Sequence, residues 1–147
     1  MISKEQHLQK LKQMYESAPI NQTHFTGTEI VFDKNEAVIS FHSNESLNHA
    51  MGFGHGLVAF KMLDDSAYFA AQVTEKEFFL LTASFTLHFV RPIPATPIRA
   101  VGILRQHSKN LWVSESRLFD AENKELAFGT GSFMKSKVLL ESVKNYF

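Results

Sequence analysis

The stretch "MGFGHGLVAFKMLDDSAYFAAQ", residues 51–72, decides the fold class of this chain. Three glycines occupy alternate positions at its start, where the backbone can turn sharply and come close to a neighbour. From about Gly56 to Gln72 the residues are strongly apolar over a length that favours a helix over a strand. A helix that is apolar nearly all round must be buried nearly all round, so the rest of the chain has to wrap about it.

The remaining sequence predicts strands on both sides of this helix. Two strands, at 24–33 and 36–43, precede it around the polar turn "DKNE". Four more follow it, in the segments "FFLLTASFTLHFV", "IRAVGILRQH", "LWVSESRLFD" and "KELAFGTGSFM". An amphipathic helix over residues 3–16 begins at a capping box of Ser3 and Gln6, and the tail "KSKVLLESVKNYF" is expected to form a short helix. The order predicts an α+β fold: a six-stranded antiparallel sheet wrapped around one central helix, with an extra N-terminal helix.

Alternation in "FFLLTASFTLHFV" predicts which side chains of that strand face the core. One side carries the apolar residues Phe79, Leu81, Ala83, Phe85, Leu87 and Phe89. Thr82 falls on the other, more polar side together with Ser84, Thr86 and His88. The proline-rich "RPIPATP" ends this strand, because proline cannot donate to the ladder.

Composition narrows the class of protein. The 147 residues are expected to form one domain over 1–147, and 15 basic residues balance 15 acidic ones, so no strong field favours nucleic acid or a membrane. The absence of cysteine excludes disulfides and thiolate chemistry.

There is no signal-peptide core and no long apolar run, so we expect a cytoplasmic protein. No phosphate loop, G-x-S-x-G or metal-ligand spacing occurs, so we expect no cofactor and no metal ion.

Two adjacent aspartates lie within the central helix. Asp64 falls on the apolar stripe of Leu57, Phe60, Ala67 and Ala71, where an unpaired charge is costly. Asp64 is therefore either a buried carboxylate satisfied by backbone donors or one kept reactive by a partly desolvated site. Asp65 falls on the neighbouring polar stripe, one turn after Lys61, and is expected to be a solvated or paired surface carboxylate.

The glycines before the helix allow two interpretations. A helix N-terminus presents unpaired N–H groups and a partial positive charge, which together can stabilise a developing oxyanion. Alternatively, the glycines only form the turn that precedes the helix. His55 also allows two interpretations, since a histidine at this position can be a helix cap or part of a site.

The segments "NHAMGFGHGLVAFKMLDDSA" (48–67) and "HFVRPIP" (88–94) resemble the hotdog-fold acyl-CoA thioesterases of the PaaI type. That family's pattern has an asparagine, a glycine, a His-Gly pair, an acidic residue nine positions after the histidine, and a later strand ending in Arg-Pro or a similar pair. The resemblance covers roughly residues 25 to 134. It implies a hotdog fold, assembly into a homodimer or homotetramer with active sites between subunits, and hydrolysis of acyl-CoA.

The resemblance also assigns residues. The position nine after His55 is Asp64, and some members place a serine or threonine eighteen positions after the acid, which is Thr82 here. The letters "DSA" resemble the family's "ADSA", which would select Asp65 instead. The sequence departs from the pattern at Leu57, which stands for the second glycine of His-Gly-Gly, and at Asn48, which lies one residue further from the histidine than is usual.

The implied mechanism gives each residue a role. Asp64 would be the general base or the nucleophile, and the N–H of Gly56 would polarise the thioester carbonyl. Asn48, His55 and Thr82 would orient water or substrate. Four further residues would either meet the phosphates of CoA or be ordinary surface charges: Arg91, Arg105, His107 and Lys109. Two alternatives stay open: a hotdog dimer that binds an acyl ligand without hydrolysing it, and a hotdog hydratase or dehydratase acting on thioesters.

Overall fold

The computed structural model describes all 147 residues as nine main elements and two short 3-10 turns. The helices are α1 (Lys4–Glu16), α2 (Pro19–Thr23) and α3 (Gly56–Gln72). The strands are β1 (Glu29–Asp33), β2 (Glu36–His42), β3 (Phe78–Phe89), β4 (Pro97–His107), β5 (Leu111–Asp120) and β6 (Glu125–Leu139). None of the helices is both long and apolar enough to cross a bilayer.

The six strands form one antiparallel sheet in the order β1-β2-β4-β5-β6-β3. The central helix α3 lies on one face of this sheet, and its buried side chains share a single core with residues of the strands and of α1. The predicted α+β arrangement, six strands around one helix with an extra N-terminal helix, is confirmed. β1 and β3 are the two edges of the sheet, so each has one side without a strand partner.

Gly102 of β4 allows α3 to approach the sheet closely. A Cβ built at this position would lie 2.0 Å from the carbonyl oxygen of Ser66 and 2.2 Å from its carbonyl carbon. Ser116 of β5 adds a polar link, since its hydroxyl donates to the carbonyl of Leu63 at 2.8 Å. The helix backbone therefore rests directly on the strand backbone at this crossing.

Both ends of α3 are fixed by side chains. At its start, the Leu57 N–H donates to Nδ1 of His55 at 3.0 Å, so His55 is the helix cap. At its end, the buried amide of Gln72 donates to the carbonyls of Glu75 and Phe78 and accepts the N–H of Leu80. These local bonds explain why the predicted limits of the helix, 56 and 72, are those observed.

The helix α1 is held against the end of α3 by a fully buried histidine. Nε2 of His7 lies 3.1 Å from the carbonyl oxygen of Gln72, and Nδ1 lies 2.7 Å from the hydroxyl of Tyr146. A carbonyl oxygen can only accept, so Nε2 carries the hydrogen and Nδ1 accepts from the tyrosine. Burial lowers the pKa of His7, which favours the neutral ring. The capping box of Ser3 and Gln6 is present as predicted.

The prediction that α3 is buried nearly all round was wrong for its first half. Leu57 and Phe60 are 46% and 42% exposed, because no element of the same chain covers that side of the helix. Met51 and Phe53, in the loop before the helix, are exposed as well. The chain thus presents an apolar surface beside the free edge of β3.

The alternation predicted for β3 was wrong because the strand contains a bulge. Its pairing with β6 shifts between Thr82 and Ser84, which leaves Ala83 without an opposite residue. Leu81 and Ala83 are exposed rather than facing the core, whereas Thr82 faces the helix. Beyond the bulge the predicted side does face inward, and the ring of Phe85 lies against the glycine backbone of β6.

Two other predicted segments differ from the structure. The expected tail helix is mostly strand: β6 continues to Leu139, which pairs with Phe78, and only a 3-10 turn at Leu140–Ser142 follows. The strand predicted over 24–33 begins only at Glu29. The short helix α2 and a turn at Gly27, where φ is +84°, use the residues before it.

Candidate functional site

Asp64 lies half-buried in the middle of α3, on the side that faces β3. Thr82 donates its hydroxyl to Oδ1 of Asp64 at 3.0 Å. The carboxylate borders a cleft of about 470 Å³ between α3, the start of β3, the α1–α2 region and the segment 143–145. Its apolar lining includes Met14, Ala18, Ile20, Phe69, Phe79, Leu81 and Val143. The structure thus brings Asp64 and Thr82 together at the rim of an apolar cleft.

The environment of Asp64 makes its carboxylate unusually basic. Burial is the largest effect and raises the pKa of Asp64 to about 6. The negative charge of Asp65 acts in the same direction, while the Thr82 hydroxyl and the Lys61 ammonium act against it. A carboxylate with this pKa is ionised at neutral pH and can still accept a proton efficiently.

Asp65 is paired with Lys61 as predicted, but inside the protein rather than on its surface. Lys61 Nζ lies 2.6 Å from Oδ2 of Asp65, and the hydroxyl of Tyr15 donates to the same oxygen at 3.1 Å. The two charged side chains are only 10% and 23% exposed, and Lys61 also lies over the ring of Phe25. Burial raises the pKa of Asp65, and Lys61 and Tyr15 oppose that shift. Of the two aspartates, Asp64 is the one without a cation bonded to it.

The start of α3 offers a free backbone donor. The N–H of Gly56, the first residue of the helix, has no acceptor within the chain. A Cβ at this position would lie 3.1 Å from the ring tip of Phe89, so the surroundings already touch the glycine. Such an N–H, at the positive end of a helix, suits an anionic or polarised oxygen.

The loop before Gly56 is docked on the segment that follows β3. The N–H of Gly54 donates to the carbonyl of Ile93 at 2.8 Å, and a Cβ at Gly54 would lie 2.8 Å from the Cβ of Ile93. Asn48 donates to the carbonyl of Gly52 at 3.0 Å, while its buried Oδ1 has no partner. The structure therefore places Asn48 and His55 with Gly56 at the helix start. The Oδ1 of Asn48 is the one side-chain oxygen there that is buried without a hydrogen-bond partner.

Gly56 and Asp64 are not close to each other within one chain. They are separated by more than two turns of α3, which is about 12 Å along the helix axis. A single carbonyl cannot contact the N–H of one and the carboxylate of the other across that distance. The site residues thus fall into two groups, one at the helix start and one at its middle.

The four residues predicted to contact the phosphates of CoA also lie in two separate places, one near the start of α3 and three beyond its other end. Arg91 lies near the helix start and donates to the carbonyl of Glu125 at 2.6 Å. The other three belong to the β4–β5 hairpin, beyond the other end of α3, where the Trp112 indole donates to Thr74. There Arg105 is ion-paired with Glu115, His107 stacks on Trp112, and Lys109 lies in the hairpin turn. A role of these four residues in binding CoA stays a prediction.

Tyr15 is the residue near the site that the sequence did not indicate. In the pattern of α1 it is one more residue at helical spacing, and nothing local connects it to a carboxylate fifty residues later. No group of three or more histidine, aspartate or glutamate side chains is arranged to hold a metal ion.

Known structures share this architecture. The PaaI protein of the phenylacetic acid degradation operon of Escherichia coli superposes with a TM-score of 0.82 at 19% identity, over 92% of this chain and 97% of that one. A Haemophilus influenzae thioesterase superposes with a TM-score of 0.75 at 16% identity, over 88% of this chain and 90% of that one. A Streptococcus mutans protein bound to acetyl-CoA superposes with a TM-score of 0.69 at 16% identity, over 76% of this chain and 90% of that one. No protein-family model matches the sequence, and no curated protein is significantly similar to it. At such low identities the likeness establishes the fold, which is the predicted hotdog fold.

Proposed function

We propose that this chain hydrolyses acyl thioesters, acyl-CoA in particular, in the cytoplasm. The observation that carries the proposal is Asp64, a half-buried carboxylate with a raised pKa that borders an apolar cleft while its neighbour Asp65 is neutralised by Lys61. A reactive carboxylate at the rim of an apolar pocket is the arrangement expected of an acid–base site. The fold shared with a thioesterase, and with a protein bound to acetyl-CoA, agrees with this substrate class.

We further propose that the complete site forms between two copies of the chain. Gly56 and Asp64 lie too far apart along one helix to act on the same carbonyl. In the proposed dimer, the Gly56 of one copy would meet the Asp64 of the other. The side of α3 that carries Leu57 and Phe60 is uncovered, and it lies beside the unpaired edge of β3. Burial of that apolar side and pairing of that edge would both stabilise the assembly.

In this mechanism the thioester carbonyl accepts a hydrogen bond from the N–H of Gly56, which stabilises the negative charge that develops on its oxygen. Asp64 takes a proton from water as the water attacks the carbonyl carbon, or it attacks that carbon itself and forms a mixed anhydride that water then cleaves. In both routes the carbon–sulfur bond breaks and CoA leaves as its thiolate, which takes up a proton that comes from water. Thr82 holds the Asp64 carboxylate in place through its hydroxyl.

The direct test is a panel of acyl-CoA substrates with short, long and aryl acyl groups, in which a thiol-reactive dye follows release of CoA. Hydrolysis of at least one member is the expected result. Release no faster than background on every member would favour the dimer that binds an acyl ligand without cleaving it. An enoyl-CoA added to the panel tests the second alternative: loss of its enoyl absorbance without release of thiol would indicate a hydratase.

The assembly is itself a testable expectation. Light scattering should give a mass at least twice that of the 16.7 kDa chain at micromolar concentration, because an apolar helix side and a free strand edge are exposed together. A homodimer, or a tetramer built from dimers, satisfies the proposal. A stable monomer would contradict the shared site.

The Gly56→Val variant tests the oxyanion donor. We expect the rate constant to fall by about 10²-fold or more, because the valine side chain fills the space beside the N–H where the carbonyl should lie. The fold should survive, since the nearest atom to a new Cβ is the ring tip of the exposed Phe89. Circular dichroism verifies the fold. An unchanged rate constant in folded protein would remove the helix start from the mechanism.

The pH dependence should report the ionisation of Asp64. Because its pKa is raised to about 6, kcat/KM should fall about tenfold per unit below that pH and level off above it. The Thr82 hydroxyl lowers this pKa, so Thr82→Val should move the midpoint upward. A profile that is flat over about pH 5 to 8 would exclude Asp64 as the titrating base.

A further inference from the structure

A second cavity lies at the end of α3 opposite Gly56, where α1, the β1–β2 turn, α3 and β4 meet. Its volume is about 630 Å³, larger than the cleft at Asp64 and within the roughly 300–1,000 Å³ of small-molecule sites. Half of its lining is apolar and comes from α1, β1, the C-terminal end of α3 and β4: Leu8, Phe32, Ala70, Val73, Ile103 and Leu104. Apart from Ala70, these apolar side chains are not fully buried, so the cavity has an accessible apolar floor.

Three lysines from three separate parts of the chain surround this floor. Lys4 comes from α1, Lys34 from the turn between β1 and β2, and Lys76 from the loop before β3. None of them forms an ion pair, and the one acidic residue of the lining, Glu36, is not paired either. The rim of the cavity therefore carries three positive charges against one negative charge.

The position of Lys4 strengthens the case for an anion. It is the first residue of α1, where the partial positive charge of the helix disfavours a cation. The cap Ser3 accepts only the N–H of Gln6, so the N–H groups of Lys4 and Glu5 have no acceptor within the chain. An anionic group beside Lys4 would offset that unfavourable interaction with the helix.

We infer that this cavity binds a single-chain amphipathic anion, with its apolar body against the floor and its anionic head group among Lys4, Lys34 and Lys76. The convergence of three unpaired cations on an accessible apolar floor carries the inference. The site is separate from Asp64, and it does not depend on the proposed hydrolysis.

The only tryptophan of the chain can report binding. Trp112 is 3% exposed, and its indole donates at 2.8 Å to the hydroxyl of Thr74, which lines the cavity. We expect decanoate to change its fluorescence saturably, and decanol, which lacks the charge, to bind at least tenfold more weakly. Decyl phosphate in parallel shows whether a carboxylate or a phosphate head group is preferred. Methyl NMR shifts at Ile103 and Leu104 place the ligand on the floor.

The variant Lys4→Gln/Lys34→Gln/Lys76→Gln should lose at least tenfold in affinity. The control Lys10→Gln/Lys124→Gln/Lys137→Gln removes the same charge from lysines that line neither this cavity nor the cleft at Asp64, and it should bind as the native protein does. Three results would overturn the inference: no saturable binding of either anion by fluorescence or NMR, equal binding of decanol, or equal weakening in the two triple variants.

Discussion

Replacing Asp64 by asparagine is expected to lower turnover by about 10²–10⁴-fold, the usual worth of a positioned acid–base group. The amide keeps the shape of the side chain and can still accept the hydrogen bond from Thr82, so the loss isolates the proton-accepting function. Stability should hold or rise, because burial disfavours the ionised carboxylate that the change removes. Steady-state kinetics on the best acyl-CoA, with a denaturant titration of each protein, measure both effects.

The matched control is Asp65→Asn, the same substitution one residue later. It should retain most of the activity, but it should lose stability, because it leaves the buried ammonium of Lys61 without its counter-charge. Were Asp65→Asn inactive and Asp64→Asn active, the count of nine positions from His55 would be off by one. Full activity in both variants would make the carboxylates structural and remove the centre of the proposed hydrolysis.

Gly102→Ala should destabilise the fold by about 3 kcal/mol or more, which is at the upper end of the usual cost of adding a methyl group to a packed core. The new Cβ would lie 2.0 Å from the carbonyl oxygen of Ser66, and this is backbone that cannot rotate away. This clash can be relieved only if α3 moves off the sheet. Such a movement would also displace Asp64, which precedes Ser66 by two residues in the same helix. The free energy of unfolding and the rate constant should therefore fall together.

Gly56→Ala is the matched control for that stability change. The nearest atom to its new Cβ is the exposed ring of Phe89 at 3.1 Å, which can turn aside, so we expect a loss below about 1 kcal/mol. Equal unfolding midpoints for Gly102→Ala and the native protein would show that the helix does not rest on β4 as described.

The parts of the fold that depend on neighbours in sequence could be predicted. The limits of α3 follow from the cap at His55 and from the amide of Gln72, and α1 starts where its capping box lies. The inward facing of Thr82 could not be predicted from alternation, since the bulge at Ala83 arises from pairing with a strand formed much later in the chain. Only the family spacing connected Thr82 with Asp64.

The setting of Asp65 shows a second limit of sequence reasoning. Its partner Lys61 is one helical turn away and was predicted, whereas the burial of the pair was not. Tyr15 of α1 and Phe25 contribute to that burial, and they contact the pair only in the folded protein. A helical wheel separates the two aspartates correctly, but it does not show that an added helix covers the polar stripe.

The order of strands in the sheet sets the course of folding. β3 leaves α3 directly, yet its one strand partner is β6, the last strand to be synthesised. While β4 and β5 are still being made, the phenylalanine-rich "FFLLTASFTLHFV" has no ladder to join. Pairing between strands so distant in sequence is slow, and unpaired apolar strands associate with one another. During synthesis we therefore expect a competition between pairing of β3 with β6 and aggregation through β3.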